Sequence, residues 1–228
     1  MPYEEARSLQ KEIERARQME AVPDVLLLLE HPPVYTKGRR TTTDELPMGE
    51  DWYRMQGIDV IDTDRGGRVT YHGPGQLVGY PIFSLRAYRD DVHEYIRRME
   101  LVIVNALADW GVEAGPIEGL TGVWTNPSAP SRRAQKIGSI GVHVSRGVTT
   151  HGFAINVNND LQPFEWVVPC GIEGVRMTSL CREFGSEVDM GACMDVVTER
   201  FSEIYGREPV ATTLEQLAER LGEPAPVR

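Results

Sequence analysis

Residues 136–158 read KIGSIGVHVSRGVTTHGFAINVN. Two runs rich in Ile, Val and Thr flank Ser145-Arg146-Gly147, and a polar pair closed by glycine is turn chemistry. The stretch therefore predicts a β-hairpin. Alternation places Ile137, Ser139, Gly141 and His143 on one face of the first strand, with Lys136, Gly138, Ile140 and Val142 on the other. In the second strand Gly152, Ala154 and Asn156 share a face, opposite Phe153, Ile155 and Val157. Glycine inside a strand weakens it and marks where a ligand or another backbone comes close. Small residues on adjacent strands leave space over the sheet, so the hairpin predicts the wall of a narrow cleft.

Further strands are expected on both sides. VLLLLE at 25–30 reads as a buried strand, stopped by the two prolines of HPPVYTKGRR, after which a basic loop follows. GIDVIDTD at 57–64 is another strand, RGGRVTYHGPGQLVGYPIFSL at 65–85 a pair of strands around a Gly-Pro turn, and GVWT at 122–125 one more. Helices are expected at Tyr3–Met19 and Asp91–Asp109, where Tyr95, Met99, Val102, Ile103 and Ala106 give helical spacing and Gly111 a stop. Three more are expected at Thr178–Phe184, Asp189–Tyr205 and Thr213–Leu221. Helices at both ends enclosing glycine-rich strands predict one α+β domain over residues 1–221, a mixed β-sheet flanked by helices, with 222–228 as a disordered tail. A chain of 228 residues supports one substantial core without a second domain.

With 24 basic and 34 acidic residues the net charge is −10, which excludes sequence-independent binding to nucleic acid. The basic residues Lys37, Arg39, Arg40, Arg65, Arg68, Arg132, Arg133, Lys136 and Arg146 nevertheless gather in the middle of the chain. They read either as a patch for an acidic partner or as scattered solvated side chains. No apolar run is long enough to span a bilayer, and the N-terminal segment has no apolar secretion signal. Three cysteines without paired spacing fit a reducing cytoplasm rather than a disulfide framework, and show no metal-ligand spacing.

The three cysteines differ. Cys193 falls on a helical face with Val197 and Phe201, and Cys181 beside Leu180 and Phe184, so both read as core. Cys170 stands between Pro169 and Gly171, outside any helix and next to a residue that turns freely. A free thiol is only a few per cent ionised at neutral pH, so a nucleophilic cysteine needs a nearby base or cation. His31, His72, His93, His143, His151 and Lys136 are the candidates. His93 reads as solvated, and His143 with His151 as an ordinary cross-strand pair.

HPPVYTKGRR, DRGGRVTYHGPGQLVGYP, GLTGVWT, the 136–158 stretch and PCGI occur in this order. Together they resemble the octanoyltransferases of protein lipoylation, the lipoyl(octanoyl) transferases, from Tyr3 to about Tyr205. The resemblance implies the fold of the biotin/lipoate ligase catalytic domain. It implies transfer of an octanoyl group from the phosphopantetheine of acyl carrier protein to a lysine on lipoyl domains of 2-oxoacid dehydrogenases and the glycine-cleavage H protein. No resident cofactor, metal, nucleic acid or membrane is implied, and the protein is expected to be a cytoplasmic monomer. Cys170 takes the place of the acyl-carrying nucleophile and Lys136 that of its partner, favouring the thiolate and moving protons. Substrate contacts fall on Arg65, Gly66, Gly67, Arg68, Val69, Thr70, Tyr71 and His72, on Ser139, Ile140 and Gly141, and on Gly152, Phe153 and Ala154. His72 is expected to position substrate, with a buried structural role as the close second. Members of the family usually carry a strand before the segment PYEEA, where this chain begins: either the start is misplaced or that edge strand is missing, which bears on the sheet edge and not on the active site. An ATP-dependent lipoate or biotin ligase on the same fold is the alternative reading. A non-catalytic module binding lipoyl domains or acyl carrier protein is a third, and a Cys–His hydrolase lacks a nucleophile motif.

Overall fold

The computed structural model describes residues 1–125, 134–168 and 176–222. The hairpin is present: β8 (Gln135–Ser145) and β9 (Val148–Asn156) pair antiparallel. Arg146 and Gly147 between them have φ of 49° and 76°, the two positive values that a tight turn matching strand twist requires. Ser139 lies opposite Ala154 and Gly141 opposite Gly152, so the small residues share one patch. The expected pairing of His143 with His151 does not form. His143 faces Thr150 and His151 faces Val142, because the turn sets the register one residue away.

Around the hairpin stands a six-stranded sheet in the order β1-β5-β9-β8-β7-β6, every neighbouring pair antiparallel. The remaining members are β1 (Val25–Leu29), β5 (Gln76–Ile82), β6 (Ala114–Ile117) and β7 (Leu120–Thr125). A second sheet holds β2 (Val34–Lys37) between β3 (Asp59–Asp62), parallel to it, and β4 (Thr70–His72), antiparallel. The mixed character expected from sequence thus belongs to the smaller sheet. The basic loop expected after the two prolines is in part strand β2. Val34, Tyr35 and Thr36 have β-favouring side chains and bury between two partners, which outweighs the polar residues that follow. β4 and β5 flank the Gly-Pro turn, as expected, but join different sheets. The short strand β6 and the helix α2 (Glu50–Met55) carried no periodic signal.

Helices cover both faces of the large sheet. α1 (Tyr3–Gln18) lays Ala6, Ile13 and Ala16 on Val78, Tyr80, Ile82 and Ala154. α3 (Val92–Ala108) and α6 (Met190–Tyr205) cover the opposite face, with Tyr95, Met99 and Ile103 against Leu77, Phe153 and Ile155. Asp91 caps α3 by accepting from the amides of His93 and Glu94, and Asp189 caps α6 at Ala192. Cys193 sits in this core, its thiol pushed up to about 12 by burial. Cys181, expected there too, is only half-buried and 3.2 Å from Ser179 Oγ, and Phe184 beside it is exposed. It is the second residue of the short helix α5 (Leu180–Phe184), which follows α4 (Gln162–Glu165) in the chain and whose one fully buried residue is Leu180. Helix α7 (Leu214–Gly222) adds Leu217 to the α1 side. Of the tail expected over 222–228, Gly222 ends α7, and residues 223–228 lie outside the described residues. Among those described, no helix is long and apolar enough to cross a membrane.

Candidate active site

The two sheets meet through a few backbone and guanidinium contacts. Gly66 donates its amide to Val142 O at 2.9 Å, and Arg65 donates through Nη2 to Thr36 O at 2.6 Å. The 65–72 segment is thereby laid over the small-residue patch of β8 and β9. Where it passes Gly141, a Cβ would come within 2.9 Å of Gly66 O. Glycine at that strand position serves close backbone approach, one of the two uses its place in a strand suggests.

Between these layers and α3 lies a cavity of about 560 Å³. Arg65, Gly66, Gly67, Arg68, Val69, Thr70 and His72 line it, as do Ser139, Ile140, Gly141, Gly152, Phe153, Ala154 and Lys136. Tyr71 does not: it is turned to the other side of β4, against Tyr35 and Phe164, because successive strand residues face opposite ways. Val92 and Ile96 of α3, with Leu120 and Val142, add apolar surface. Cys170 lies outside the described residues. The described chain resumes at Arg176, whose carbonyl accepts from the Lys136 amide at 2.8 Å, and Thr178 donates back to Lys136 O at 2.9 Å. In sequence, five residues therefore lie between Cys170 and a residue bonded to Lys136.

Lys136 is itself buried, with 4% of its surface exposed. Its Nζ lies 5.4 Å from the centroid of Trp124, which stands opposite it across the β7–β8 pairing. Gly122 also adjoins it, at φ 119°, where a Cβ would fall 2.8 Å from Lys136 Cε and 2.5 Å from Gly138 O. Glycine is required there on both counts, conformation and space.

A buried polar cluster forms another wall. His72 Nδ1 is 2.7 Å from Gln76 Oε1, and burial pushes its pKa down to about 3. His31 Nε2 is 2.7 Å from the Tyr80 hydroxyl, and burial lowers it to about 4. His151 Nε2 lies 2.7 Å from Asp64 Oδ1, and its Nδ1 lies 3.4 Å from the Tyr3 hydroxyl. Burial lowers His151 as well, so a neutral ring donates to the carboxylate. That hydrogen bond, with Lys11 beside it, holds Asp64 well below the usual carboxylate range. His72 is buried and bonded as a structural histidine is, and it also faces the cavity.

Two members of the basic set suggested by composition are neutralised by ion pairs. Arg68 pairs with Glu45, and Lys37 with Glu50 and Asp62, while Arg39, Arg40 and Arg146 stay exposed. Arg132 and Arg133 lie outside the described residues. Among the described residues no group of histidine, cysteine and carboxylate side chains is disposed to hold a metal ion. Tyr3, Tyr80 and Trp124 line the cavity although sequence reasoning assigned them no role, and so does His151, read from sequence as a cross-strand partner of His143; Tyr80, Trp124 and His151 stand inside the quoted motifs, which was the available signal.

Residues 2–202 match the family model of the lipoyl protein ligase A/B catalytic domain. The chain belongs to that family. Within it the chain is 46% identical over 207 residues to an octanoyltransferase of Rubrobacter xylanophilus, covering 90% of both chains. It is 44% identical over 209 residues to an octanoyltransferase of Myxococcus xanthus, covering 91% of this chain and 58% of that longer relative. This places it with the acyltransferases of the family. The fold is also that of a bipartite lipoate protein ligase from Thermoplasma acidophilum, at a TM-score of 0.73 and 20% identity over 97% of this chain and 87% of that one.

Proposed function

We propose that this protein is an octanoyltransferase of protein lipoylation. It takes an octanoyl group from the phosphopantetheine arm of acyl carrier protein and carries it as a thioester on Cys170. It then passes the group to a lysine on the lipoyl domains of 2-oxoacid dehydrogenases and the glycine-cleavage H protein, in the cytoplasm and as a monomer. The reading rests on the named relatives and on one structural observation: a buried lysine amine on the wall of a largely apolar cleft. The cleft volume of about 560 Å³ falls in the range of small-molecule sites, about 300–1,000 Å³.

In the first step the Cys170 thiolate attacks the thioester carbonyl. The new S–C bond forms, the bond to the pantetheine sulfur breaks, and that sulfur leaves as a thiolate that takes up a proton. Exchange of one thioester for another is nearly balanced, so the acyl group stays activated. Lys136, as an ammonium, favours the Cys170 thiolate by charge. In the second step the acceptor lysine, with an ordinary pKa of about 10.4, must shed protons to attack. Its C–N bond forms as the C–S bond breaks, Cys170 leaves as thiolate, and Lys136 relays the released proton. Arg65 through Thr70 and His72, with Ser139–Gly141 and Gly152–Ala154 of the two strands, hold the substrate. The acyl chain lies over the small residues Ser139, Gly141, Gly152 and Ala154, each buried methylene contributing about 0.8 kcal/mol.

Intact-mass analysis tests this. Mixing with octanoyl-acyl carrier protein adds one octanoyl group to the wild type and none to Cys170→Ser. A wild type that transfers octanoate while never carrying it removes the covalent route. Release of pyrophosphate from ATP and free octanoate would move the assignment to the ligase reading.

A further inference from the structure

Glu100 lies on α3, half-buried, on the side facing β7. Its Oε1 accepts the amide of Gly122 at 3.0 Å. Gly122 is the residue against which the Lys136 side chain rests: a Cβ at this position would lie 3.3 Å from Lys136 Nζ. One carboxylate thus pins the left-handed backbone that supports the lysine amine. It also acts on that amine by charge. Burial raises the pKa of Glu100, the Gly122 amide offsets this, and the cations that oppose it are Lys136 on β8 and Arg97 on its own helix. An interior carboxylate close to an ammonium favours the charged form of both.

We propose that Glu100 is a positioning residue for Lys136, holding the lysine amine in place through Gly122 and stabilising it as the ammonium. The proposal rests on Lys136 acting in the acyl transfer described above. Glu100 takes no part in bond making; it sets how readily Lys136 supports the thiolate and then releases its own proton. Without the carboxylate charge the amine is freer, the thiolate less favoured, and the first step slower.

The chain has three lysines, Lys11, Lys37 and Lys136, which makes a substrate-independent test direct. Trace labelling with acetic anhydride, read by peptide mass spectrometry, reports the reactivity of Lys136 against Lys11 and Lys37 as internal references. Glu100→Gln keeps an oxygen for the Gly122 amide and removes only the charge. It should raise relative labelling of Lys136 by about threefold or more, the equivalent of half a pKa unit in its favour. In parallel, octanoylation of Cys170 should slow by a similar factor. Glu100→Ala, losing charge and acceptor together, should slow it further. Unchanged labelling of Lys136 in Glu100→Gln, with normal octanoylation, overturns the role of Glu100 and leaves the octanoyl reading standing. A raised labelling ratio in a protein whose wild type never accepts octanoate supports the Glu100–Lys136 coupling and sinks the octanoyl reading instead.

Discussion

Trp124 and Lys136 are direct partners across β7 and β8, and the Lys136 ammonium lies 5.4 Å from the centroid of the indole ring. A cation over an aromatic face is attracted to its electron density, most strongly over tryptophan. Trp124 is 3% exposed, so the ring also fills core space. Trp124→Ala should destabilise the fold by about 3–5 kcal/mol and slow octanoylation of Cys170. Trp124→Phe should cost less on both counts, because an aromatic face remains for the amine. Urea unfolding and a mass-spectrometric time course measure the two effects. Wild-type acylation in a folded Trp124→Ala protein would show that the ring does not orient Lys136.

Gly122→Ala separates backbone strain from crowding. Gly122 and Gly57 both have positive φ, 119° and 76°, but a Cβ at Gly57 meets nothing within 4 Å. At Gly122 it meets Gly138 O at 2.5 Å and Lys136 Cε at 2.8 Å. Gly57→Ala should therefore cost only the conformational penalty, about 1–3 kcal/mol, and leave transfer intact. Gly122→Ala should cost more in urea unfolding and abolish most of the transfer. Equal effects of the two substitutions on transfer would rule out the contact with Lys136.

The buried histidines make stability depend on pH. His72 and His31 are pushed down to about 3 and about 4 by burial, and His151 is lowered too. Unfolded, each returns to about 6.5, so below that pH the unfolded chain binds more protons than the folded one. Their contribution is complete above about pH 6.5 and is lost as the pH falls toward 4 and 3. Asp64 acts in the same sense further down: held low by the hydrogen bond from His151, it loses its contribution as pH falls below the ordinary carboxylate range. The thermal midpoint should drop steadily between pH 7 and 5, and His72→Gln should make that slope shallower. A flat midpoint over this range contradicts neutral buried rings.

Ser139 lies in the cleft wall, opposite Ala154 and beside Gly141. Ser139→Leu should fill part of the space that receives the acyl chain. Each methylene displaced forfeits about 0.8 kcal/mol, roughly fourfold in kcat/KM, so octanoyl donors should suffer more than butanoyl donors. Equal losses for both chain lengths would place the acyl group elsewhere.

Much of this was legible because it rests on local rules. The 136–158 hairpin announces itself by β-branched alternation and a Ser-Arg-Gly turn, and the α3 helix by its spacing and the Gly111 stop. Strand β2 was not legible: two prolines and a run of basic residues read as loop, while pairing on both sides makes Val34–Lys37 a strand. The one-residue register of His143 and His151 depends on backbone dihedrals at Arg146 and Gly147, which residue types constrain only loosely.

The sequence by itself determined the α+β class and the family motifs, because periodicity, turn chemistry and motif order are properties of the chain read in one dimension. Only the tertiary structure decided that Trp124 lies over Lys136, that Gly122 lies beneath it, and that Glu100 stands behind Gly122. With Lys136, those residues come from two neighbouring strands and a helix, and no local pattern encodes which side chain of one element meets which backbone of another. Burial and register set that meeting, and with it the electrostatics of the lysine.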